Sequence, residues 1–273
     1  MTADQQLARI VRLLREAGID ALVMGGHAVR YYGIDRNTID FDLVTSIATP
    51  AELRTSMAAI SGLGSIREEA VWRKLDFARF EVGKLPDGRP QWLEFWLRNH
   101  LLDDFAGLKA RAELGQYGGE MMPFLGLSDL MRSKETERES DWQDIAMLEE
   151  IRDDRYAAVS NTPEGLLQFL ASLRSRRGMD VALERQLVSN REAVAQAAEV
   201  ARHPATLAFL FPYVRNQLEL PGAVPLPTTL IQLLSTVVGG SPKHFAVVEI
   251  ARREFKRAAM DRDRADKQLQ LRK

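Results

Sequence analysis

The stretch Met24-Gly25-Gly26-His27-Ala28-Val29-Arg30-Tyr31-Tyr32-Gly33-Ile34-Asp35-Arg36-Asn37-Thr38-Ile39-Asp40-Phe41-Asp42-Leu43-Val44 decides how the chain is read. A Gly-Gly turn closes the apolar strand 21–24, and a D-x-D lies inside the next strand, expected over 38–45. Side chains at i and i+2 of a strand share a face. Asp40 and Asp42 therefore point one way, and Ile39, Phe41 and Leu43 the other. Two like charges side by side are unfavourable unless a cation sits between them. A divalent metal that itself carries phosphates meets that need. Glycines at 25 and 26 let backbone N–H groups approach a polyphosphate without Cβ interference. The short helix that follows, through Val29 and Tyr32 to Gly33, offers its N-terminus to the anion. The plain alternative for the two aspartates is a solvated strand face.

Outward from this stretch, Leu7, Ile10, Val11, Leu13 and Leu14 have helical spacing, and Gly18 closes that helix. A helix is expected over 51–60. Strands over 75–82 and 91–97 are joined by Leu85-Pro86-Asp87-Gly88-Arg89-Pro90, whose Asp-Gly marks a turn. A further strand is expected over 119–125, then a helix capped by Ser128 that runs through Leu130 and Lys134, then helix over 141–151. Beyond that the pattern is helical, through Leu166, Leu167, Phe169, Leu170 and Leu173. Pro221, Pro225 and Pro227 interrupt it, an apolar helix follows over 228–238, and a charged amphipathic tail covers 245–273. The expected class is α+β. A domain with a mixed sheet spans 1–155 and an all-helical domain 156–273, with Asn161-Thr162-Pro163 as a helix break near the boundary.

The chain has 273 residues, 45% of them hydrophobic, which suits one large domain or two small ones. A net charge of −1 provides no global field toward nucleic acid. The absence of cysteine excludes disulfides, thiolate zinc sites and cysteine nucleophiles, and fits a reducing compartment. The polar start, Met1-Thr2-Ala3-Asp4-Gln5-Gln6, is no signal sequence, and no apolar run is long enough to span a bilayer. The expectation is a soluble, cytoplasmic protein without a membrane partner.

Gly25-Gly26 followed by Arg36-x-Thr38-x-Asp40-x-Asp42-Leu43 resembles the nucleotidyltransferase superfamily with the polymerase-β-like catalytic fold. A second block is Pro123-Phe124-Leu125-Gly126-Leu127-Ser128-Asp129-Leu130, then Lys134, Arg138, Asp141 and Asp144-Ile145. It is similar to the pattern of the superfamily's bacterial minimal and AbiEii-like branch, which includes type IV toxins. The resemblance covers residues 7–150. It implies a nucleotidyltransferase with two metal ions, Mg²⁺ or Mn²⁺, on three carboxylates. These align an acceptor hydroxyl with the α-phosphate of a nucleoside triphosphate such as ATP, and pyrophosphate leaves.

On this resemblance Asp40 and Asp42 are metal ligands. The third carboxylate, which also helps deprotonate the acceptor, is Glu94. In the expected strand 91–97, Trp92, Glu94 and Trp96 share one face, and Leu93, Phe95 and Leu97 the other. The family often has Asp at this place, and Glu reaches farther. Glu81 and Asp76 are the alternatives. Lys134 would neutralise the triphosphate or the leaving pyrophosphate. Arg36 would do the same, or brace its loop against Asp35 or Asp141. Gly25, Gly26 and Thr38 complete the nucleotide side, though Thr38 also suits a strand start. The acceptor is a tRNA, a protein or a small molecule, and a toxin role implies a cognate antitoxin as partner. The competing reading is a nucleotide-binding regulatory or partner-binding protein on a non-catalytic scaffold.

Other residues have plainer readings. Asp141 and Asp144 share a helix face and suit salt bridges to Arg138 or Lys134 better than a second metal site. His27 fits capping or partial burial better than phosphate contact. Trp92 and Trp96 fit packing better than base stacking. Arg252, Arg253, Lys256 and Arg257 read as a solvated helix face rather than an RNA surface. A second D-x-D, Asp261-Arg262-Asp263, reads as decoration of a solvated helix.

Overall fold

A computed structural model describes residues 1–60, 62–63, 67–69, 77–136, 138–214 and 244–272. The chain divides into two compact units, one of Met1–Asp144 with Arg262–Lys273 and one of Ile145–Asp261. The division differs from the boundary expected at 155. One uninterrupted helix carries the chain through that position, and the end of the charged tail belongs with the first unit.

The first unit opens with helix α1, Ala3–Glu16. Thr2 accepts the Gln5 backbone N–H, and the Gln5 side chain accepts that of Thr2 in return, a capping box. Leu7, Ile10, Val11 and Leu14 form its buried stripe. There follow β1 (Ala21–Val23), α2 (Gly25–Tyr31), β2 (Phe41–Thr45), α3 (Pro50–Ala58), β3 (Arg67–Glu69), β4 (Phe77–Lys84) and β5 (Pro90–Trp96). The unit continues with α4 (Phe105–Ala110), β6 (Glu113–Tyr117), β7 (Glu120–Phe124) and α5 (Leu127–Ser133). The seven strands form one sheet in the order β3-β4-β5-β2-β1-β7-β6. β2 runs parallel to β5 and β1 parallel to β7, and the other neighbours are antiparallel. The sheet is therefore mixed and the class α+β, as the sequence pattern implies. Phe80, Leu93 and Phe41 form one row across β4, β5 and β2 and are fully or almost fully buried.

Three local expectations need correction. β2 begins at Phe41, not at 38. Residues Thr38 to Asp40 precede it outside regular structure, and Ile39 is exposed. α5 is capped by Gly126, not by Ser128, which lies inside the helix. A Cβ at Gly126 would lie 2.5 Å from the carbonyl oxygen of Arg111, so backbone crowding selects glycine there. Strand β6 was not expected at all. Leu114 is 70% exposed and a glycine sits at its centre, so no alternation of apolar residues marks it. That glycine, Gly115, makes room for the Tyr31 ring, which stacks on Phe124 at 4.0 Å between centroids. A Cβ at 115 would come within 2.1 Å of the ring. We expect Gly115→Ala to cost about 1–3 kcal/mol, the usual range for overpacking, read as a lower urea midpoint with unchanged slope.

The second unit is helical, as expected. It takes most of α6 (Glu139–Ala158) and contains α7 (Pro163–Ser172), α8 (Arg176–Glu184), a 3-10 turn (Leu187–Ser189), α9 (Arg191–Val200) and α10 (Pro204–Val214). Helix α11 (His244–Arg272) begins in this unit and ends in the first. The break at Asn161-Thr162-Pro163 is the start of α7, with Thr162 accepting the Gly165 N–H and Pro163 in the first turn. Phe169, Leu170, Leu173, Met179, Val194, Phe209 and Leu210 form its core. The prolines at 221, 225 and 227 and the apolar helix over 228–238 lie outside the described residues. Among the described residues no helix is long and apolar enough to cross a membrane.

Candidate active site

Parallel pairing of β2 with β5 sets Asp42 directly beside Glu94. Antiparallel pairing of β5 with β4 sets Glu94 beside Arg79. A row Arg79–Glu94–Asp42 thus crosses three strands on the face opposite Phe80, Leu93 and Phe41. Arg79 reaches Glu94 at 2.5 Å, and its guanidinium lies 5.1 Å from the Trp92 ring centroid. The Glu94 carboxyl lies close enough to Asp42 that its charge disfavours ionisation of Asp42. Asp40, just before β2, has an Oδ1 that is buried without a hydrogen-bond partner. All these groups except Trp92 open onto one cavity of about 510 Å³, which Gly25, Gly26, Arg36, Thr38 and Lys134 also line.

Burial, then the neighbouring Glu94, pushes the Asp42 carboxyl up to about 7, with Lys134 pulling against them. Burial also raises Asp40, against Arg79 and a backbone N–H at Trp92. Left alone, Asp42 is pushed toward its protonated form where a cation would sit. By chemistry, though not by spacing, the donors suit a hard divalent cation: two crowded carboxylates and, on the same cavity, one with an orphaned buried oxygen. The structure brings Asp42 and Glu94 together and puts Asp40 on the same cavity. Among the described residues, however, no group of three His, Asp or Glu side chains is set to hold a metal ion, and Arg79 engages Glu94 instead.

Gly25 has φ +64°, and a Cβ there would lie 1.9 Å from Asp42 Oδ2. A Cβ at Gly26 would lie 2.4 Å from Thr38 Oγ1. The glycine pair therefore lets α2 begin against the carboxylate. Gly25→Ala meets both a left-handed backbone and a clash, so we expect about 1–3 kcal/mol of destabilisation. Circular-dichroism melts check this.

Lys134 stands at the end of α5 and is 5% exposed. Its Nζ lies 2.9 Å from Asp144 and 3.2 Å from Asp141. Asp141 also accepts from Thr136 and Arg138. Burial opposes its ionisation, but Lys134, Thr136 and Arg138 outweigh it and hold Asp141 below the usual aspartate range. The two aspartates are thus salt-bridge anchors, in line with their plain reading. Arg36 braces against Asp144 at 3.2 Å, not against Asp35 or Asp141.

His27 is fully buried, with Nδ1 2.9 Å from the Tyr117 hydroxyl and 3.4 Å from Asp4. Burial lowers it to about 4 despite Asp4, so it is neutral near pH 7. It is a core residue, and Met24 holds the cap position of α2. Trp96 packs on Phe77 at 4.8 Å, and Trp92 lies beneath Arg79. Glu81 stands opposite Trp92, off the cavity, and Asp76 is outside the described residues. Arg253 and Arg257 are exposed.

The second D-x-D is not a solvated decoration. Asp261 is exposed, but Arg262 pairs with Glu135, and Asp263 is 1% exposed and bonded to His100 on the cavity wall. Arg79, His100 and Lys267 are absent from the sequence reading, and Asp263 enters it only as a solvated residue. The one signal for them was an acid and a lysine at i and i+4 in the tail.

No family model and no curated protein matches the chain. Several solved structures do. An antigenic nucleotidyltransferase-like protein from Paracoccidioides brasiliensis is 18% identical, over 54% of this chain and 74% of that one, with a TM-score of 0.39. A candidate nucleotidyltransferase from H. pylori is 13% identical, over 93% of this chain and 95% of that one, with a TM-score of 0.37. A tRNA-processing enzyme in its apo form is 17% identical, over 85% of this chain and 62% of that one, with a TM-score of 0.28. These likenesses are too distant to transfer an activity.

Proposed function

We propose that the cavity binds a nucleoside triphosphate and that the protein moves its NMP to a hydroxyl acceptor. The observation that carries this reading is the Asp42–Glu94 pair, two adjacent carboxyls crowded together on the cavity floor beside the orphaned oxygen of Asp40. Asp40, Asp42 and Glu94 would hold Mg²⁺ or Mn²⁺. A metal held there would supply charge to neutralise the phosphates and to ease the departure of pyrophosphate. Gly25 and Gly26 let the start of α2 lie directly against Asp42 and Thr38, so that both side chains stay on the cavity wall. Lys134 divides its charge between Asp141 and Asp144, so its first task is to hold the site's wall. Arg36 and Arg138 line the cavity from the same network and add positive charge for the triphosphate.

The acceptor is a hydroxyl of a tRNA, a protein or a small molecule. Action on either macromolecule would suit a toxin restrained by a cognate antitoxin. Incubation with Mg²⁺, NTPs labelled at the α-phosphate and panels of the three acceptor classes tests the reading. Labelled acceptor is the expected result. If no acceptor is labelled and NTP binding is insensitive to Asp40→Ala, the proposal fails. One observation favours a competing reading, a nucleotide-binding protein without transfer: Arg79 already occupies Glu94. Calorimetry separates the two, since NTP binding without turnover belongs to the second.

A further inference from the structure

We infer that His100 is the base that takes the proton of the attacking hydroxyl, held for that task by Asp263 of helix α11. The inference rests on the nucleotide-transfer reading. Glu94, the carboxylate that the sequence puts in this role, is paired with Arg79 at 2.5 Å and stands beside Asp42 of the adjacent strand. His100 follows β5, the strand that carries Glu94, and lines the same cavity within the first unit. Its Nε2 lies 2.9 Å from Asp263 Oδ1, and Lys267 Nζ lies 2.9 Å from the other oxygen. The aspartate side chain is 1% exposed and the imidazole 16%, so the pair is sheltered yet open to the cavity.

A carboxylate beside a lysine accepts hydrogen bonds and does not donate them. The hydrogen is therefore on Nε2, and the lone pair is on Nδ1. Asp263 then orients the ring and stabilises the imidazolium once formed, the service an aspartate gives a histidine in hydrolase triads. The step balances. The acceptor proton passes to Nδ1 as its oxygen bonds to the α-phosphorus, and the bond from that phosphorus to pyrophosphate breaks, its electron pair leaving with pyrophosphate. His100 is catalytic and Asp263 is a positioning residue.

The test uses the full chain with Mg²⁺, each NTP and the three acceptor classes, and reads the release of pyrophosphate. NTP affinity is measured separately by equilibrium binding. We expect His100→Ala to lose about 10²-fold in kcat, the lower end for general-base catalysis, with KM and NTP affinity unchanged, and imidazole to restore turnover. His100→Gln keeps an N–H for Asp263 but has no basic nitrogen, so it folds and is equally slow. Asp263→Asn lowers kcat about tenfold without moving KM, which a purely structural role would not do. Wild-type kcat in His100→Gln, or no rescue of His100→Ala by imidazole, overturns the inference and leaves the transfer reading standing. A wild type that releases no pyrophosphate with any acceptor overturns the inference, and one that in addition binds NTP no better than Asp40→Ala sinks the transfer reading itself.

Discussion

We expect Asp42→Asn to lower the proposed nucleotide transfer by roughly 10³-fold or more, and at the same time to make the protein more stable above neutral pH. The activity loss follows from removing one of the carboxylates that would hold the metal, whose charge supplies several kcal/mol to phosphate chemistry. The stability gain follows from linkage. Asp42 has its carboxyl raised from 3.8 to about 7 in the folded chain, by burial and by Glu94. The folded state therefore binds the proton more tightly than the unfolded state. The stability this contributes is fully present below the unfolded value and is lost as pH rises through about 7. Asparagine carries no charge to desolvate and donates an N–H to Glu94. The wild-type melting temperature should fall between about pH 4 and pH 8, while that of the variant stays level. Mg²⁺ should restore the wild type and leave the variant unmoved. A variant that melts below the wild type above neutral pH overturns this account.

Lys134→Ala should cost about 3–5 kcal/mol, the range for stripping a buried ion pair of one partner. Asp141 and Asp144 are each 1% exposed and lose the cation that bridges them, while Arg138 and Arg36 retain one each. The effect carries its own pH signature. Asp141 is held below its ordinary value by Lys134, Thr136 and Arg138, against its burial. That contribution is present above the unfolded value and lost as pH falls through the folded one. The gap between variant and wild type should therefore be widest near neutrality and close in acid. Urea unfolding at two pH values measures it. A gap independent of pH would mean that the lysine matters through packing alone.

The legible part of this site was local. The D-x-D, the glycine pair and the facing of Glu94 follow from alternation and from the space a phosphate needs, both written in short windows. The extent of β2 was misread because an apolar residue at 39 mimics alternation while lying exposed. β6 was invisible because its fit depends on Tyr31, a residue from another element. The missed cavity residues have the same origin. Asp263 looks solvated in a charged helix, and only the fold reveals that His100 meets it. Arg79 gains its meaning from a cross-strand neighbour, which no single window contains.

The parallel join of β2 and β5 also bears on when the protein becomes competent. The strands are distant in sequence, and the chain must close a long loop before their first rung forms, so this rung belongs to the slow, non-local phase of folding. Helices α1 and α7, with their own caps, can gain structure earlier. A refolding trace followed by helical signal should thus run ahead of one followed by the proposed nucleotide binding. Half-folded chains would carry every residue of the site and none of its chemistry.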